Sequence, residues 1–377
     1  MPRLLFVALD GWHFSNHQMA VARASREAGL VVEVVAGADR FSEEITQAGF
    51  PFHPVSIRKS RRLGDARATL RELCAVFRRL QPDLVQISSL RAAVLGGLAA
   101  RRAEVPAMIR VLTGRGYAFT EGPALMRGGI RWLWRIGRAP RNWTVFQNPE
   151  DRDFFLANGL ADGDALSVVP GAGVDLVRFQ SSPEPAGTPV VLYLGRMLRA
   201  KGVVELVAAC RRIRLTLPGL RLVLAGAPDP GNPTSLSEEE LRAWHKTGDA
   251  EWLGHLRDVP SLLASCHLVC LPTQAGEGMP RALLEAAACG RPVVATRVPG
   301  CTQAVVDGET GLLVEPGQPA ALRQALWELL GDPRRRAAMG GQARARAEAQ
   351  FGEERVAAEF LRIQRRLLRA EATGPTP

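Results

Sequence analysis

The sequence lacks the cysteine spacing that marks metal sites and disulfide frameworks. Its six cysteines include no C-x-x-C pair, and most of them have apolar neighbours in the sequence. They are Cys74, Cys210, Cys266, Cys270, Cys289 and Cys301. Closely paired cysteines are typical of zinc and redox sites, and an even number of cysteines in a short secreted chain is typical of disulfide scaffolds. We therefore expect buried free thiols in a reducing compartment and no cysteine-based metal site.

Long apolar runs are missing as well. The first apolar run, residues 4–9, ends before Asp10 and is too short for the core of a signal peptide. No run approaches the roughly 18 apolar residues that a membrane-spanning helix needs. The sequence therefore predicts a cytoplasmic protein without a membrane-spanning helix.

Zinc-finger spacing, aromatic ribonucleoprotein motifs and a lysine-rich tail are all absent, which argues against nucleic acid as a partner. The net charge is nevertheless +10, and residues 1–183 hold 24 Lys and Arg against 17 Asp and Glu. A basic half of this kind suits an anionic lipid or a phosphorylated substrate. The length of 377 residues, 46% of them hydrophobic, predicts about two globular domains.

Short β-branched segments alternate with helical segments in the first half of the chain. Strands are predicted at 4–9, 31–36, 50–57, 83–88, 108–113, 144–148 and 166–170, and helices at 15–28, 64–79, 91–102 and 150–158. This alternation predicts a parallel sheet covered on both faces, with ligands bound beyond the carboxyl ends of its strands. We place this domain at 1–180, before a proline-rich linker, and a second α/β domain at 189–350.

The segment 271–298 predicts a strand, a loop, a short helix and a second strand. Glu277 lies between two glycines in the loop, Pro280 is expected at the first helical position, and Glu285 lies more than one turn inside the helix. A helix N-terminus suits a phosphate group, and two carboxylates can each accept hydrogen bonds from sugar hydroxyls. Diphosphate between two hydroxyl-bearing sugars describes a nucleotide sugar. The alternative is that two glutamates eight positions apart occur by chance on solvated faces.

Glu277 and Glu285, with Gly278-Met279-Pro280 after the first, resemble the signature of the retaining GT-B glycosyltransferases of family 4. The resemblance covers nearly the whole chain and is strongest over 189–317. It implies an α/β fold of two doubly wound Rossmann-like domains facing across a cleft. It also implies that the segment 351–370 forms a helix that returns to the first domain, that Glu277 binds hydroxyls of the donor sugar, and that Glu285 binds the ribose.

The turn from Gly195 to Gly202 follows a predicted strand and is similar to the Gly-Arg…Lys-Gly turn of the same family. The resemblance implies that Arg196 and Lys201 bind the donor diphosphate; the alternative is two surface charges beside a helix start. Two cations at a helix N-terminus can neutralise a leaving diphosphate where other enzymes use magnesium, so we expect no metal and no cofactor. His255 and Leu256 resemble the strand end that receives the nucleobase, or they are ordinary loop residues.

One pattern in the sequence does match a metal motif. Asp162-Gly163-Asp164 has the D-x-D spacing that other glycosyltransferases use for metal. It lies in a polar turn and not beside a phosphate-binding element, so turn chemistry explains it better.

The end of the first predicted strand carries Gly11, His13 and His17, where relatives have a glycine-rich loop that touches donor phosphate and acceptor. Ser15 or Asn16 is expected to cap the helix that follows. Either histidine is a candidate for acceptor contact or for a general base, and a purely structural role is the alternative.

The end of the fifth predicted strand carries Thr113 and Arg115, in the run Thr-Gly-Arg-Gly-Tyr-Ala-Phe. Together with residues 52–60 and 91–100, this run resembles a bacterial subgroup that adds N-acetylated hexosamines to undecaprenyl-diphosphate-linked sugars. Members often have His-Lys before a Gly-x-Leu-Ala-Ala helix, where this chain has Leu90-Arg91.

Residues 125–138 predict a basic helix with two tryptophans. Its arginines, Arg127, Arg131, Arg135 and Arg138, follow at steps of four, four and three, on one helical face. Such a helix can lie among anionic lipid headgroups, and with the basic segment 58–62 it would bind a lipid-linked acceptor at the inner face of the plasma membrane. The alternative is a packing helix with solvated arginines.

These features predict a hexosyltransferase that moves a hexosyl or N-acetylhexosaminyl unit from a nucleotide sugar to a glycan acceptor. The expected donor is UDP-linked, and the expected acceptor is polyprenyl-diphosphate-linked or another glycan of cell-surface polysaccharide or lipopolysaccharide assembly. One alternative is a UDP-sugar epimerase of the same architecture. Its reaction would need several catalytic carboxylates and histidines, and the sequence offers few beyond His13, His17 and the two glutamates. The other is a non-catalytic membrane-associated subunit, against which the intact Arg196, Lys201, Glu277 and Glu285 argue.

Overall fold

The computed structural model describes residues 1–57, 63–115, 119, 123–274 and 276–369. The basic segment 58–62, residues 116–118 and 120–122 of the loop after the fifth strand, Ala275 of the donor loop and residues 370–377 lie outside the described residues. The chain divides into two units, Met1–Ala172 with Glu353–Pro377, and Gly173–Gly352.

The first unit is built around a parallel sheet. Its strands are β1 (Arg3–Asp10), β2 (Val31–Gly37), β3 (Phe52–Pro54), β4 (Leu84–Ser88), β5 (Ala107–Leu112), β6 (Arg141–Phe146) and β7 (Leu166–Val168). Its described helices are α1 (Gly11–His17), α2 (Met19–Glu27), α3 (Ser42–Gln47), α4 (Leu63–Leu80), α5 (Leu90–Arg102), α6 (Ala124–Ile136), α7 (Pro149–Ala157) and, from the end of the chain, α15 (Glu353–Arg369). The strand order is β3-β2-β1-β4-β5-β6-β7.

Both faces of this sheet are buried. Along β1, Leu5 and Val7 pack into a core with α4 to α7, whereas Leu4 and Phe6 pack into a core with α1, α2, α3 and α15. Successive side chains of a strand point to opposite faces, so a strand with two covered faces is apolar throughout. The predicted parallel sheet with helices on both faces is confirmed.

A chain of buried side-chain hydrogen bonds joins α15 to this sheet. Ser25 Oγ donates to Gln364 Oε1 at 2.9 Å, Gln364 Nε2 donates to Gln86 Oε1 at 3.0 Å, and Gln86 Nε2 donates to Gln18 Oε1 at 2.6 Å. All four side chains are buried. Because a buried polar group is costly without a partner, these bonds fix the position of α15 on β4 and α2.

The second unit has a smaller parallel sheet. Its strands are β8 (Val190–Leu194), β9 (Arg221–Ala225), β10 (Glu251–Trp252), β11 (Leu268–Leu271), β12 (Val293–Thr296) and β13 (Gly311–Val314), in the order β10-β9-β8-β11-β12-β13. Its helices are α8 (Val203–Arg214), α9 (Glu238–Thr247), α10 (Val259–Ala264), α11 (Arg281–Ala288), α12 (Cys301–Ala304), α13 (Pro319–Gly331) and α14 (Pro333–Arg346). A 3₁₀ turn at Arg199–Lys201 precedes α8, and a π-helical turn at Ala347–Phe351 follows α14.

The structure corrects the prediction at the end of β1. Helix α1 begins directly at Gly11, and the Asp10 carboxylate accepts a hydrogen bond from the backbone N–H of His13 at 2.8 Å. Aspartate is as good an N-cap as serine or asparagine, so Asp10, and neither Ser15 nor Asn16, caps the helix. The helix predicted at 15–28 is therefore two helices, α1 and α2, which meet at Gln18.

Candidate active site

The backbone at Gly202 lies directly against the backbone at Pro272, and this contact positions the turn that carries Lys201. Gly202 has φ +74°, and a Cβ at this position would lie 2.0 Å from the carbonyl oxygen of Pro272. Only glycine allows both the left-handed conformation and this contact. The approach holds the 3₁₀ turn with Lys201 against the residues that follow β11.

Lys201 and Glu277 form an ion pair at this place. Lys201 Nζ donates to Glu277 Oε1, and the hydroxyl of fully buried Thr273 lies 3.2 Å from the same carboxylate oxygen. Burial, with a smaller contribution from the charge of Arg196, lowers the pKa of Lys201 to about 8. The two residues predicted to bind different parts of the donor are thus in direct contact.

Arg196 is held by a carboxylate that the sequence did not single out. Its Nη1 donates to Asp229 Oδ2 at 2.7 Å, and Asp229 lies in the loop between β9 and α9. The backbone N–H of Asp229 donates to Ser235 Oγ at 3.0 Å, which fixes the loop. Arg196 lies near enough to Lys201 to influence its pKa, so both predicted diphosphate cations lie beyond the carboxyl end of β8.

Glu285 lies inside α11 and pairs with Arg281, one turn earlier, at 3.0 Å. Its side chain is largely buried, and this burial raises the pKa of its carboxyl group, while Arg281 opposes the rise. Pro280 occupies the N-cap position of α11, and Met279 before it is buried. The predicted strand, loop and helix are confirmed, with Glu277 before the helix and Glu285 within it.

The remaining donor candidates follow neighbouring strands of the same sheet. Gly195 directly follows β8, and its N–H donates to Ala225 O at 3.0 Å. His255 and Leu256 follow the edge strand β10; His255 is exposed, whereas Leu256 packs partly against the core. Since the carboxyl ends of parallel strands meet at one edge of a sheet, these residues lie at the same edge as Arg196 and Lys201.

The acceptor candidates lie at the corresponding edge of the first sheet. Gly11 begins α1, and the rings of buried His13 and of His17 lie 4.7 Å apart. Thr113 and Arg115 follow β5, and Arg115 Nε forms an ion pair with Asp151 Oδ1 at 2.7 Å. Burial raises the pKa of the Asp151 carboxyl group, and Arg115 opposes this rise.

Comparison with known proteins decides the family. The model described as "Glycosyl transferases group 1" matches residues 177–346, and that described as "Glycosyl transferase 4-like domain" matches residues 15–170. The D-inositol 3-phosphate glycosyltransferase of Kineococcus radiotolerans is 31% identical over 334 residues, 78% of this chain and 74% of that protein. The chain belongs to the group 1 glycosyl transferases.

Two further likenesses span nearly the whole glycosyltransferase. The N,N'-diacetylbacillosaminyl-diphospho-undecaprenol alpha-1,3-N-acetylgalactosaminyltransferase of Campylobacter jejuni is 24% identical over 386 residues, 97% of this chain and 99% of that protein. The crystal structure of HepE from Anabaena in complex with UDP and glucose has a TM-score of 0.80 at 20% identity, and 96% of this chain and 99% of that chain are covered. The predicted GT-B fold of two Rossmann-like domains and the predicted glycosyltransferase activity are confirmed.

The D-x-D pattern of this glycosyltransferase takes part in a surface ion pair. Asp162 Oδ2 lies 3.1 Å from Arg138 Nη1. Within the described ranges, no group of three or more His, Cys, Asp or Glu side chains is arranged to hold a metal ion.

Helix α6 of the glycosyltransferase buries one of its tryptophans and exposes the other. Trp134 is fully buried, whereas Trp132 is 62% exposed and Leu125 is 89% exposed. Arg135 Nη2 donates to the carbonyl oxygen of Asn158 at 2.7 Å, so this arginine and Arg138 hold α6 on its neighbours. Among the described helices, none combines the length and the apolar character that a membrane span requires.

Sequence reasoning missed four residues that contact the candidates, namely Asp151, Asp229, Thr273 and Arg281. The Arg281–Glu285 pair has i, i+4 spacing on a helix and was readable from the sequence. The contacts of Asp229 with Arg196 and of Asp151 with Arg115 join residues 33 and 36 positions apart, so no local sequence pattern predicts them.

Proposed function

We propose that this glycosyltransferase moves an N-acetylhexosaminyl or hexosyl unit from a UDP-sugar to a sugar carried on polyprenyl diphosphate, with retention of configuration. The observation that carries the donor half is the contact of Lys201 with Glu277 before the N-terminus of α11, with Arg196 nearby. The UDP complex of HepE supports the nucleotide, and the Campylobacter relative's name supports the acceptor class. These comparisons favour a transferase over the epimerase that the sequence left open.

Each donor contact has a chemical role in this proposal. Glu277 accepts hydrogen bonds from hydroxyls of the sugar, and Glu285 accepts them from the ribose. Arg196 and Lys201 bind the diphosphate and stabilise the negative charge that develops on it as the glycosidic bond breaks. With two cations at this position, the departing diphosphate needs no metal ion.

The acceptor hydroxyl attacks the anomeric carbon while the bond to the diphosphate breaks. Its proton passes to the departing phosphate oxygen, which Arg196 and Lys201 hold in place. His13 and His17 contact the acceptor beside the end of β1, and Thr113 with Arg115 lie two strands away beyond β5.

A membrane contact accompanies this function. Trp132 and Leu125 expose apolar surface on one face of α6, and Arg127 and Arg131 lie on the same helix. Tryptophan and arginine together favour the headgroup layer of an anionic membrane. We propose that the enzyme is cytoplasmic and binds the inner face of the plasma membrane peripherally through α6.

A thermal-shift panel of UDP, GDP and ADP, each with and without EDTA, tests the donor half. A nucleotide at a hundredfold its dissociation constant stabilises a protein by about 2.7 kcal/mol, a readily measured shift. We expect stabilisation by UDP that EDTA leaves unchanged. No response to any nucleotide would reject the proposed donor. Incubation with UDP-sugar alone then separates the reactions, since an epimerase equilibrates the sugar and a transferase hydrolyses it slowly.

A further inference from the structure

Arg91 is a partly buried arginine whose buried nitrogens lack an acceptor. It lies in the first turn of α5, directly beyond the carboxyl end of β4. Its Nε and Nη2 are both buried and have no hydrogen-bond partner among the described residues. Six described arginines have a buried nitrogen of this kind, but Arg91 differs from the other five in having two.

The surroundings of Arg91 are unfavourable to an unmatched charge. Burial lowers the pKa of its guanidinium, and the charge of Asp65 on α4 opposes this only in part. Buried guanidinium nitrogens without hydrogen-bond acceptors are costly, and a bound anion would supply those acceptors. The guanidinium fork matches the oxygen geometry of a phosphate group.

A second buried polar group, three residues before Arg91 in the sequence, is also unmatched. Ser88, the last residue of β4, is fully buried, and its hydroxyl has no hydrogen-bond partner in the described part of the chain. Ser89 follows as the N-cap of α5, where its side chain accepts from Ala92 N. The N-terminus of this 13-residue helix adds the positive end of a dipole.

Arg91 and Ser88 lie at a place in the sheet where parallel α/β sheets commonly bind ligands. The chain builds the first sheet outward from β1 to β3, and then returns to place β4 on the other side of β1. Ligands of doubly wound sheets bind where the order of strands reverses, which here is between β1 and β4. Ser88 and Arg91 thus lie between the acceptor candidates beyond β1 and those beyond β5.

We propose that Arg91, Ser88 and the first turn of α5 form the anion site that binds the diphosphate of the acceptor. This inference rests on the proposed function, because the acceptor must carry a diphosphate. The same chemistry would also accept inorganic diphosphate, so the test compares the free anion with a prenyl-linked one.

The experiment measures diphosphate binding in a protein whose donor cations have been removed by Arg196→Gln and Lys201→Gln. In this background, titration calorimetry with inorganic diphosphate and with farnesyl diphosphate should detect binding of both. Adding Arg91→Gln should weaken both at least tenfold, whereas adding Arg67→Gln, which removes an exposed arginine of α4, should not. Arg91→Lys, which keeps the charge but loses the fork, should fall between the two.

Three outcomes would overturn the proposal. These are no binding of either anion, equal binding by the Arg91→Gln and Arg67→Gln proteins, or binding of inorganic diphosphate without farnesyl diphosphate. Thermal unfolding without added anion gives an independent readout. Removal of an unmatched cation should leave the melting temperature of Arg91→Gln unchanged or raised, whereas a fall of several degrees would identify a packing residue. Thermal stabilisation of the wild-type protein by UDP tests the donor separately. If UDP does not stabilise the protein, the proposed donor is rejected, while diphosphate binding at Arg91 remains a separate result.

Discussion

Lys201 donates a hydrogen bond to the carboxylate of Glu277, although the two residues lie 76 positions apart in the sequence. Each neutralises the other, so neither charge is fully available to a ligand. If the donor binds as proposed, its diphosphate competes with Glu277 for Lys201, and its sugar hydroxyls compete with Lys201 for Glu277. In the proposed function, donor binding exchanges this internal ion pair for two contacts with the donor.

Lys201→Ala and Glu277→Gln should each reduce turnover by about 30- to 1000-fold, equivalent to roughly 2–4 kcal/mol of transition-state stabilisation. Because the two side chains act on each other, the double variant should lose much less than the product of the single losses. Steady-state transfer rates of the three proteins test this. Lys246→Ala, an exposed lysine on α9, is the control. Near-normal turnover of Lys201→Ala would contradict the assignment.

Arg196 and Arg199 lie in the same turn, but only the first is assigned to the diphosphate. Arg199 pairs with Glu240 at the surface. We expect Arg196→Ala to reduce kcat/KM by about 100-fold, through loss of a charge-assisted contact, and Arg199→Ala to change it less than about threefold. Similar losses in the two variants would show that general positive charge, and not a specific contact, matters in this turn.

The affinity for UDP should depend on pH through Lys201. Its pKa is lowered to about 8, so the side chain is charged below that pH and loses its proton above it. UDP binding should therefore weaken as the pH rises through about 8. Calorimetry between about pH 6.5 and 9.5 measures this, and Lys201→Arg should remove the dependence because a guanidinium stays protonated throughout. A flat profile in the wild-type protein would be the contrary result.

Ser89 has φ +84°, a backbone conformation that non-glycine residues rarely adopt. Ser89→Gly should relieve this strain and cost only a few tenths of a kcal/mol as a cap, so it should raise the stability by about 1 kcal/mol. Ser89→Ala keeps the strain and loses the cap, and should lower the stability by about 1 kcal/mol. Chemical denaturation of both variants decides the sign, and a destabilised glycine variant would argue against strain at this residue.

Trp132 on α6 should contribute to binding of anionic vesicles. Trp132→Ala should weaken co-sedimentation with phosphatidylglycerol vesicles at low salt by about tenfold, because it removes an apolar side chain that inserts among the headgroups. Trp327 on α13 is 42% exposed and provides a matched tryptophan control. Equal binding by the two alanine variants would remove α6 from the interface.

The parallel sheets were predictable because their strands are apolar on both faces and alternate with helices. Short helices were missed because few residues carry their sequence pattern. Helix α3 spans six residues, and α9 begins with a capping box of Ser237 and Glu240 that could have been recognised. At β1 the motif was found but its geometry was wrong, since several residues were suitable caps and only the structure shows that Asp10 is the one used.

For the candidate site, the sequence supplied the charged residues but not their pairing. Glu285 with Arg281 was within reach, since helical spacing alone brings them together. The contacts of Lys201 with Glu277 and of Arg196 with Asp229 depend on how separate strand ends meet, which local patterns do not encode. For the same reason, the unmatched nitrogens of Arg91 became visible only once the neighbours of α5 were known.

The buried amide chain of Gln18, Gln86 and Gln364 has a consequence for genetics and for protein production. The amino-terminal unit takes its last helix from residues 353–369, so a fragment ending at Ala172 would uncover apolar side chains of α2, β4, β5 and β6 and would leave Gln86 without one of its hydrogen-bond partners. The other unit, Gly173–Gly352, is a continuous stretch of sequence. A stop codon anywhere before Gln364 would therefore destabilise the amino-terminal unit, although most of that unit is synthesised first.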